Sequence, residues 1–255
     1  MPEDKLLFFQ LNMEGYRQKK EIDALLCDLK PDVILAQEIF PHQAYRLAQM
    51  LDMQWATLPM LRFASKHAHQ RIRHTGDFGL ATLVRSSILN AEANYYPEEP
   101  AKTPTYRRPK KWVEPAYGVL TVDFNWNGTC LRVGNTHFPV SKDGLPDEKQ
   151  RAYLPHLHAI IAQQELDILS GDFNAPKHLE IGQSLINAYP HVPYPEDVHT
   201  TLTPIHRAWH KIHNAGLIID YIFTPSKRLA SGKMSCYTTV SDHAALACTF
   251  SLAST

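Results

Sequence analysis

Ile168-Leu169-Ser170-Gly171-Asp172-Phe173-Asn174 joins a short apolar run to a carboxylate and a carboxamide two residues apart. The run reads as the end of a buried strand. If the backbone stays extended past it, Asp172 and Asn174 project side by side. A carboxylate takes a proton from water, whereas a carboxamide donates to one oxygen and accepts from another without ionising. That pairing suits the attack of water on phosphorus. Two distant segments strengthen the reading: Gln37-Glu38 closes an apolar strand near the N-terminus, and Ser241-Asp242-His243 comes near the C-terminus.

Working outward, the first fifty residues alternate strand and helix. Leu6 to Leu11 is a strand ending at Asn12. Ile22, Leu25, Leu26 and Leu29 fall at helical spacing, and Lys30-Pro31-Asp32 stops that helix. Val33 to Ala36 is a buried strand ending at Glu38, and Ala44, Leu47, Ala48 and Leu51 mark a second helix. The middle of the chain reads as strands over Phe78 to Val84, Ile88 to Tyr95, Tyr117 to Phe124 and Cys130 to Asn135. The turn Asn125-Trp126-Asn127-Gly128 joins the last two as a hairpin. A helix over Asp147 to Gln164 carries Pro155, a potential kink. Strands follow at Leu166 to Leu169, Leu217 to Phe223 and Ala244 to Leu252. The stretch from Pro176 to Ala215 reads as loop with one helix near Leu179 to Asn187. Strand–helix units mixed with hairpins imply an α/β (α+β) fold, one domain over residues 1–255, with two mixed sheets face to face and helices outside.

The composition bounds the function. The formal net charge of the 255-residue chain is zero, so no global field draws it to nucleic acid or membrane. Attraction to an anion must come from local clusters. Cys27, Cys130, Cys236 and Cys248 are far apart and form no Cys-x-x-Cys pair, which argues against a zinc module or a disulfide scaffold. Free buried thiols in a reducing compartment are expected. The acidic start Met1-Pro2-Glu3-Asp4 is unlike a secretory signal. No run approaches the roughly 18 apolar residues of a membrane span. A cytoplasmic location is expected; the oligomeric state is not encoded in any visible feature.

Polar groups recur at the predicted strand ends: Asn12, Glu38, His137, Asp172 with Asn174, and Asp242 with His243. Asp220 lies inside the apolar run Leu217 to Phe223, where an ionised carboxylate is costly unless paired, and His243 is the natural partner. Each of these alone is an ordinary turn former or cap. Together, Leu11-Asn12-Met13-Glu14-Gly15, Ala36-Gln37-Glu38, Gly134-Asn135-Thr136-His137, Gly171 to Asn174, Ile219-Asp220-Tyr221-Ile222-Phe223 and Ser241-Asp242-His243 resemble, in order, the motifs of the endonuclease/exonuclease/phosphatase superfamily. The resemblance implies a four-layer α/β/β/α sandwich with the site at one edge between the sheets. It implies Mg²⁺ or Mn²⁺ held chiefly by Glu38, with Glu14 and Asp242 as further ligands and Asn12 beside them. Asp172 resembles the residue that deprotonates the attacking water, and Asn174 the one that holds that water or a phosphate oxygen. His243, oriented by Asp220, resembles the histidine that binds the scissile phosphate. His137 resembles a second histidine that contacts phosphate or protonates the leaving oxygen. A hard cation and oriented donors are what a phosphodiester needs as charge builds on its oxygens.

The sequence departs from that pattern in places. Glu14 stands where some members have aspartate. Pancreatic-type deoxyribonucleases carry Arg-Glu-Pro-Ala, whereas this chain has Val113-Glu114-Pro115-Ala116. Asp77 is placed to pair with His137 as an acidic residue does in those enzymes, or to serve as a turn former. Two basic stretches, Lys66 to His74 with Arg71 and Arg73, and Tyr106 to Trp112 with Arg107 and Arg108, flank the site in sequence. Tyr106 and Trp209 add aromatic surface. Such loops suit a nucleic-acid backbone and its bases; they suit an inositol phosphate or lipid headgroup equally, or simply solvent. His206, His210 and His213 have helical spacing but no matching carboxylate for a metal. A metal-dependent nuclease is therefore the first expectation. A phosphatase or phospholipase-like enzyme is the second, and an inactive phosphate-binding module the third.

Overall fold

The computed structural model describes residues 5–66, 72, 74–96, 98–107, 113–207, 209–212 and 216–253. Two mixed sheets stack face to face. The first takes β11 (Leu229–Tyr237), β12 (Ala245–Leu252), β1 (Leu6–Asn12), β2 (Val33–Ile39), β4 (Gly76–Val84), β3 (Gln54–Phe63) and β6 (Thr105–Tyr106), in that spatial order. The second runs β10 (Asp220–Phe223), β9 (Ile168–Asp172), β8 (Thr129–His137), β7 (Gly118–Trp126) and β5 (Ile88–Tyr95). Pairs β1–β2, β3–β6 and β8–β9 are parallel and the rest antiparallel.

Strand periodicity sorts the side chains into layers. Leu6 and Phe8 of β1, with Val33 and Leu35 of β2, join Val119, Val133, Ile168 and Phe223 of the second sheet in the inter-sheet core. Their neighbours Phe9, Leu11, Ile34 and Ala36 face the other way. They pack with Ile22 and Leu26 of α1 (Lys19–Leu29) and Ala44 and Leu47 of α2 (Pro41–Leu51). Phe8 and Leu35 are fully buried, and burial of such side chains stabilises by roughly 1.5–3 kcal/mol each. Helices α3 (Glu148–Gln164) and α4 (Glu180–Ala188) contribute Leu157, Ile161, Ile181 and Leu185 to the core that includes the second sheet. Asp147 caps α3 by accepting from the Gln150 backbone N–H at 2.8 Å, and the helix continues through Pro155.

Three strands escape the sequence reading. β3 carries Pro59 at a bulge between Pro59 and Leu61, and the proline reads as a stop. β11 is an edge strand, mostly exposed and bulged around Gly232-Lys233, so it lacks an apolar signature. β6 has only two residues. The expected hairpin is present, with Trp126 paired to Thr129 and the turn closed by Asn127 (φ 49°) and Gly128 (φ 80°). The cysteines correct one expectation. All four are free thiols, but only Cys248 is buried, while Cys27 and Cys130 are exposed and Cys236 is intermediate. Both exposed thiols lie on outward-facing positions, of α1 and of β8 next to its hairpin turn. No helix among the described residues is long and apolar enough to cross a membrane.

Candidate active site

The inner faces of both sheets change from apolar to polar at one edge. On β1 the stripe Leu6, Phe8 continues as Gln10 and Asn12. On β8 the stripe Leu131, Val133 continues as Asn135 and His137. Register then sets the second sheet's contribution: His137 lies opposite Asp172, and Asp172 opposite Asp220, in one row across three strands. Glu38 needs a different device. Simple alternation from Gln37 would send it to the helix side. Instead the β2–β4 pairing is bulged between Ala36 and Ile39, and Glu38 takes φ 53°. A bulge re-aims a side chain in this way, and Glu38 lines the cleft.

Hydrogen bonds cross from sheet to sheet at this edge. Asn12 Nδ2 donates to Asp172 Oδ2 at 3.0 Å and to Glu38 Oε1 at 3.2 Å. His137 Nε2 and His243 Nε2 lie 3.5 and 3.7 Å from the same Asp172 oxygen. His243 Nδ1 lies 3.0 Å from Asp220 Oδ2; because a carboxylate only accepts, Nδ1 carries the proton. Burial works against charge on the His243 ring, but Asp220 and Asp172 outweigh it and hold its pKa well above the usual histidine value. Ser241 Oγ donates to the Asn12 backbone carbonyl at 2.7 Å, tying the Ser241-Asp242-His243 segment to the end of β1.

Glu38, His137, Asp172 and His243, with Glu14, Asn174 and Asp242, form the polar floor of a cleft of about 270 Å³. Its wall is apolar and aromatic, with Phe63, Phe78, Tyr106 and Tyr117. Glu38, Asp242 and Glu14 supply carboxylates, a donor set of hard oxygens that suits a divalent cation such as Mg²⁺. Burial pushes the Glu38 carboxyl above its ordinary pKa; Asp242 adds to the effect, and His137, His243 and Asn12 act against it. A hard cation supplies the counter-charge that a desolvated carboxylate lacks, so the residues fit one. Glu14 is the less available oxygen donor, since its Oε1 accepts from Arg17 Nη1 at 2.8 Å. Asp172, Asp220 and His243 also place ligand atoms within 4.8 Å of one another. The His243–Asp220 bond already occupies facing atoms of that group, so it reads as a hydrogen-bonded array.

A model of the Endonuclease/Exonuclease/phosphatase family matches residues 9–243. The chain belongs to that family. Metal-dependent phosphoesterase chemistry is the family's activity, and its fold is the two-sheet sandwich described above. Solved structures of similar fold include the endonuclease/exonuclease/phosphatase from Beutenbergia cavernae, with 18% identity, a TM-score of 0.69 and coverage of 98% of this chain and 72% of that one. The human Nocturnin catalytic domain with bound sulfate gives 17%, 0.66, 98% and 94%. D. rerio TDP2 complexed with single strand DNA product gives 15%, 0.65, 96% and 98%. Comparison with curated protein sequences returned no match.

The family's motif residues converge here. Asn12, Glu14, Glu38, His137, Asp172, Asn174, Asp242 and His243 line the cleft or bond to residues that do, and Asp220 sits behind His243. Asn174 corrects the sequence reading. The backbone is not extended past Asp172, because Asn174 has φ 48°. Asp172 Oδ1 accepts from the Asn174 N–H at 2.9 Å, and Asn174 Nδ2 donates to the Phe138 carbonyl at 3.0 Å. Asp77 pairs with Arg62 at 3.0 Å, while the carboxylate facing His137 is Asp172. Arg71, Arg73, Arg108 and His213 lie outside the described residues. Tyr106 belongs to β6 and lines the cleft; Arg107 is exposed and does not. Trp209, half-buried, begins the four-residue α5 (Trp209–Ile212), and its neighbours His206 and Arg207 reach the cleft instead. Sequence reasoning missed Arg207 and the buried Gln10. Gln10 carried a signal, a polar residue on the inner face of an otherwise apolar strand.

Proposed function

We propose that the protein is a Mg²⁺- or Mn²⁺-dependent phosphodiester hydrolase that acts on nucleic acid. The observation that carries the reading is Asp172, one carboxylate oxygen of which faces Asn12, His137 and His243 from both sheets. A carboxylate so placed takes the proton of an attacking water. Protonated His243 donates from Nε2 to a non-bridging phosphate oxygen, with Asp220 fixing its ring. His137 donates to phosphate or to the leaving oxygen, Asn12 keeps Asp172 and Glu38 in register, and Asn174 sets the turn that holds Asp172. A bound divalent cation, with Glu38 as principal ligand and Asp242 and Glu14 beside it, supplies neutralisation of the phosphate's charge.

The exposed cation Arg207 on the cleft wall supports an anionic polymer such as nucleic acid, whose backbone presents phosphates beside the scissile one. The solved D. rerio TDP2 complex with single strand DNA product, in a similar fold, points the same way. The limited cleft volume favours, as a second reading, a small phosphoester such as an inositol phosphate or a phospholipid headgroup. Turnover of plasmid, abasic duplex, single strand, inositol phosphates and sphingomyelin, compared side by side, separates these. Hydrolysis of only the last two overturns the nuclease assignment. No hydrolysis of bis-p-nitrophenyl phosphate with either metal, in folded protein, reduces the chain to a binding module.

Two substitutions test the site's parts. Glu38→Ala raises the Mg²⁺ midpoint for turnover by about ten-fold or more; an unchanged midpoint places the principal ligand elsewhere. Arg207 lines the cleft, is exposed and has no ion-pair partner among the described residues. A cation so placed supports contact with a substrate phosphate flanking the scissile one. Arg207→Ala raises KM for an oligonucleotide by about ten-fold, the scale of one charge-assisted hydrogen bond. Its effect on bis-p-nitrophenyl phosphate, which has no second phosphate, is small. Equal losses on both substrates rule out the flanking contact.

A further inference from the structure

Behind the cleft, three amide side chains with no solvent exposure link the two sheets: Gln10, Gln37 and Asn135. Their order is dictated from one end. Asn135 Nδ2 donates to the backbone carbonyls of Ala36 at 3.1 Å and Ala81 at 2.9 Å. Carbonyls only accept, so the Asn135 nitrogen must face them and its oxygen must point away. That oxygen accepts from Gln37 Nε2 at 2.7 Å, which turns Gln37 Oε1 toward Gln10. Gln10 Nε2 donates to Gln37 Oε1 at 2.8 Å and also to Asp220 Oδ1 at 3.2 Å. Asp220 in turn holds His243 Nδ1.

The orientation of Gln10 has a cost that marks it as imposed. Its Oε1 is buried with no hydrogen-bond partner among the described residues, an arrangement native interiors rarely keep. Turning the amide round would set that oxygen against the Gln37 and Asp220 oxygens, so the relay holds Gln10 as it is.

We infer that Gln10, Gln37 and Asn135 form a buried amide relay that fixes the Asp220 carboxylate and, through it, aims His243 Nε2 into the cleft. They are positioning residues, and their bearing on turnover rests on the proposed role of His243. The relay begins at backbone carbonyls of β2 and β4, so the first sheet's framework sets the angle of a ring that works against a carboxylate of the second.

The test is the His243 Nδ1–H proton signal in protein carrying ¹⁵N-labelled histidine, assigned by its loss in His243→Gln. The deciding variant is Gln37→Met, which has no direct contact with Asp220 or His243 in the relay. The signal is expected to move in folded Gln37→Met. Turnover of bis-p-nitrophenyl phosphate with Mn²⁺ is expected to fall about ten-fold with KM little changed, the scale of a small misplacement of a reacting group. An unmoved signal in folded Gln37→Met overturns the relay. Should that variant not fold, Gln10→Met takes its place under the same criterion. A moved signal with undiminished turnover upholds the relay and removes His243 from the chemistry, which separates failure of this inference from failure of the proposed function.

Discussion

Asp172→Asn is expected to fold and to lose about 10²–10⁴-fold in kcat on bis-p-nitrophenyl phosphate, the scale of a missing general base. The amide keeps an oxygen for the Asn174 N–H and nearly the same volume in a buried position on the cleft floor. What it loses is the ability to accept a proton. Its NH₂ would also face Asn12 Nδ2 and two histidine nitrogens that now meet a carboxylate oxygen. A modest drop in melting temperature should therefore accompany the kinetic loss. Steady-state kinetics with circular dichroism on the same preparation decides the matter. A folded variant within about three-fold of the parent kcat would show that the water is activated elsewhere.

Gly171→Ala should act on folding before it acts on catalysis. Gly171 has φ 151°, and a Cβ built there would lie 1.9 Å from the Thr136 carbonyl oxygen in β8. That contact is with backbone, which no rotamer change relieves. Either β8 and β9 separate or the peptide turns, and each disturbs the row His137, Asp172, Asp220. Overpacking and a disfavoured backbone conformation together predict a loss of about 3 kcal/mol or more. Urea unfolding of purified protein measures it. A loss under about 1 kcal/mol would mean that the strands accommodate the methyl group.

Much of the molecule was legible because its inner strands announce themselves. Val33 to Ala36 and Leu6 to Phe9 are unbroken apolar runs, and the polar residues just beyond them include Glu38 and Asn12, which meet at the cleft edge. Asp220 in an apolar run predicted its own partner, and His243 is there at 3.0 Å. What stayed hidden depends on local backbone geometry or on context. Glu38 reaches the cleft through a bulge, and Asn174 bends the chain through a left-handed turn; neither is written in periodicity. β3 was masked by a proline that its bulge tolerates. Gln10 stands out in its strand, but Gln37 and Asn135 look like ordinary polar residues until two sheets are stacked and the three amides find one another. Arg207 acquires meaning only from the wall it stands in.

The base candidate Asp172 belongs to one slab of the sandwich, while Asn12 belongs to the other and His243 sits just before that slab's β12. The gap between slabs is thus a chemical coordinate, set by the girth of side chains such as Leu35 and Val133 that prop it open. With Asp172 as the proposed base, trimming or enlarging such a prop, well away from any bound phosphate, would alter how far a proton must travel. On that reading the interior would act as a spacer gauge for the reaction, and rate would become a ruler for how the two halves are seated.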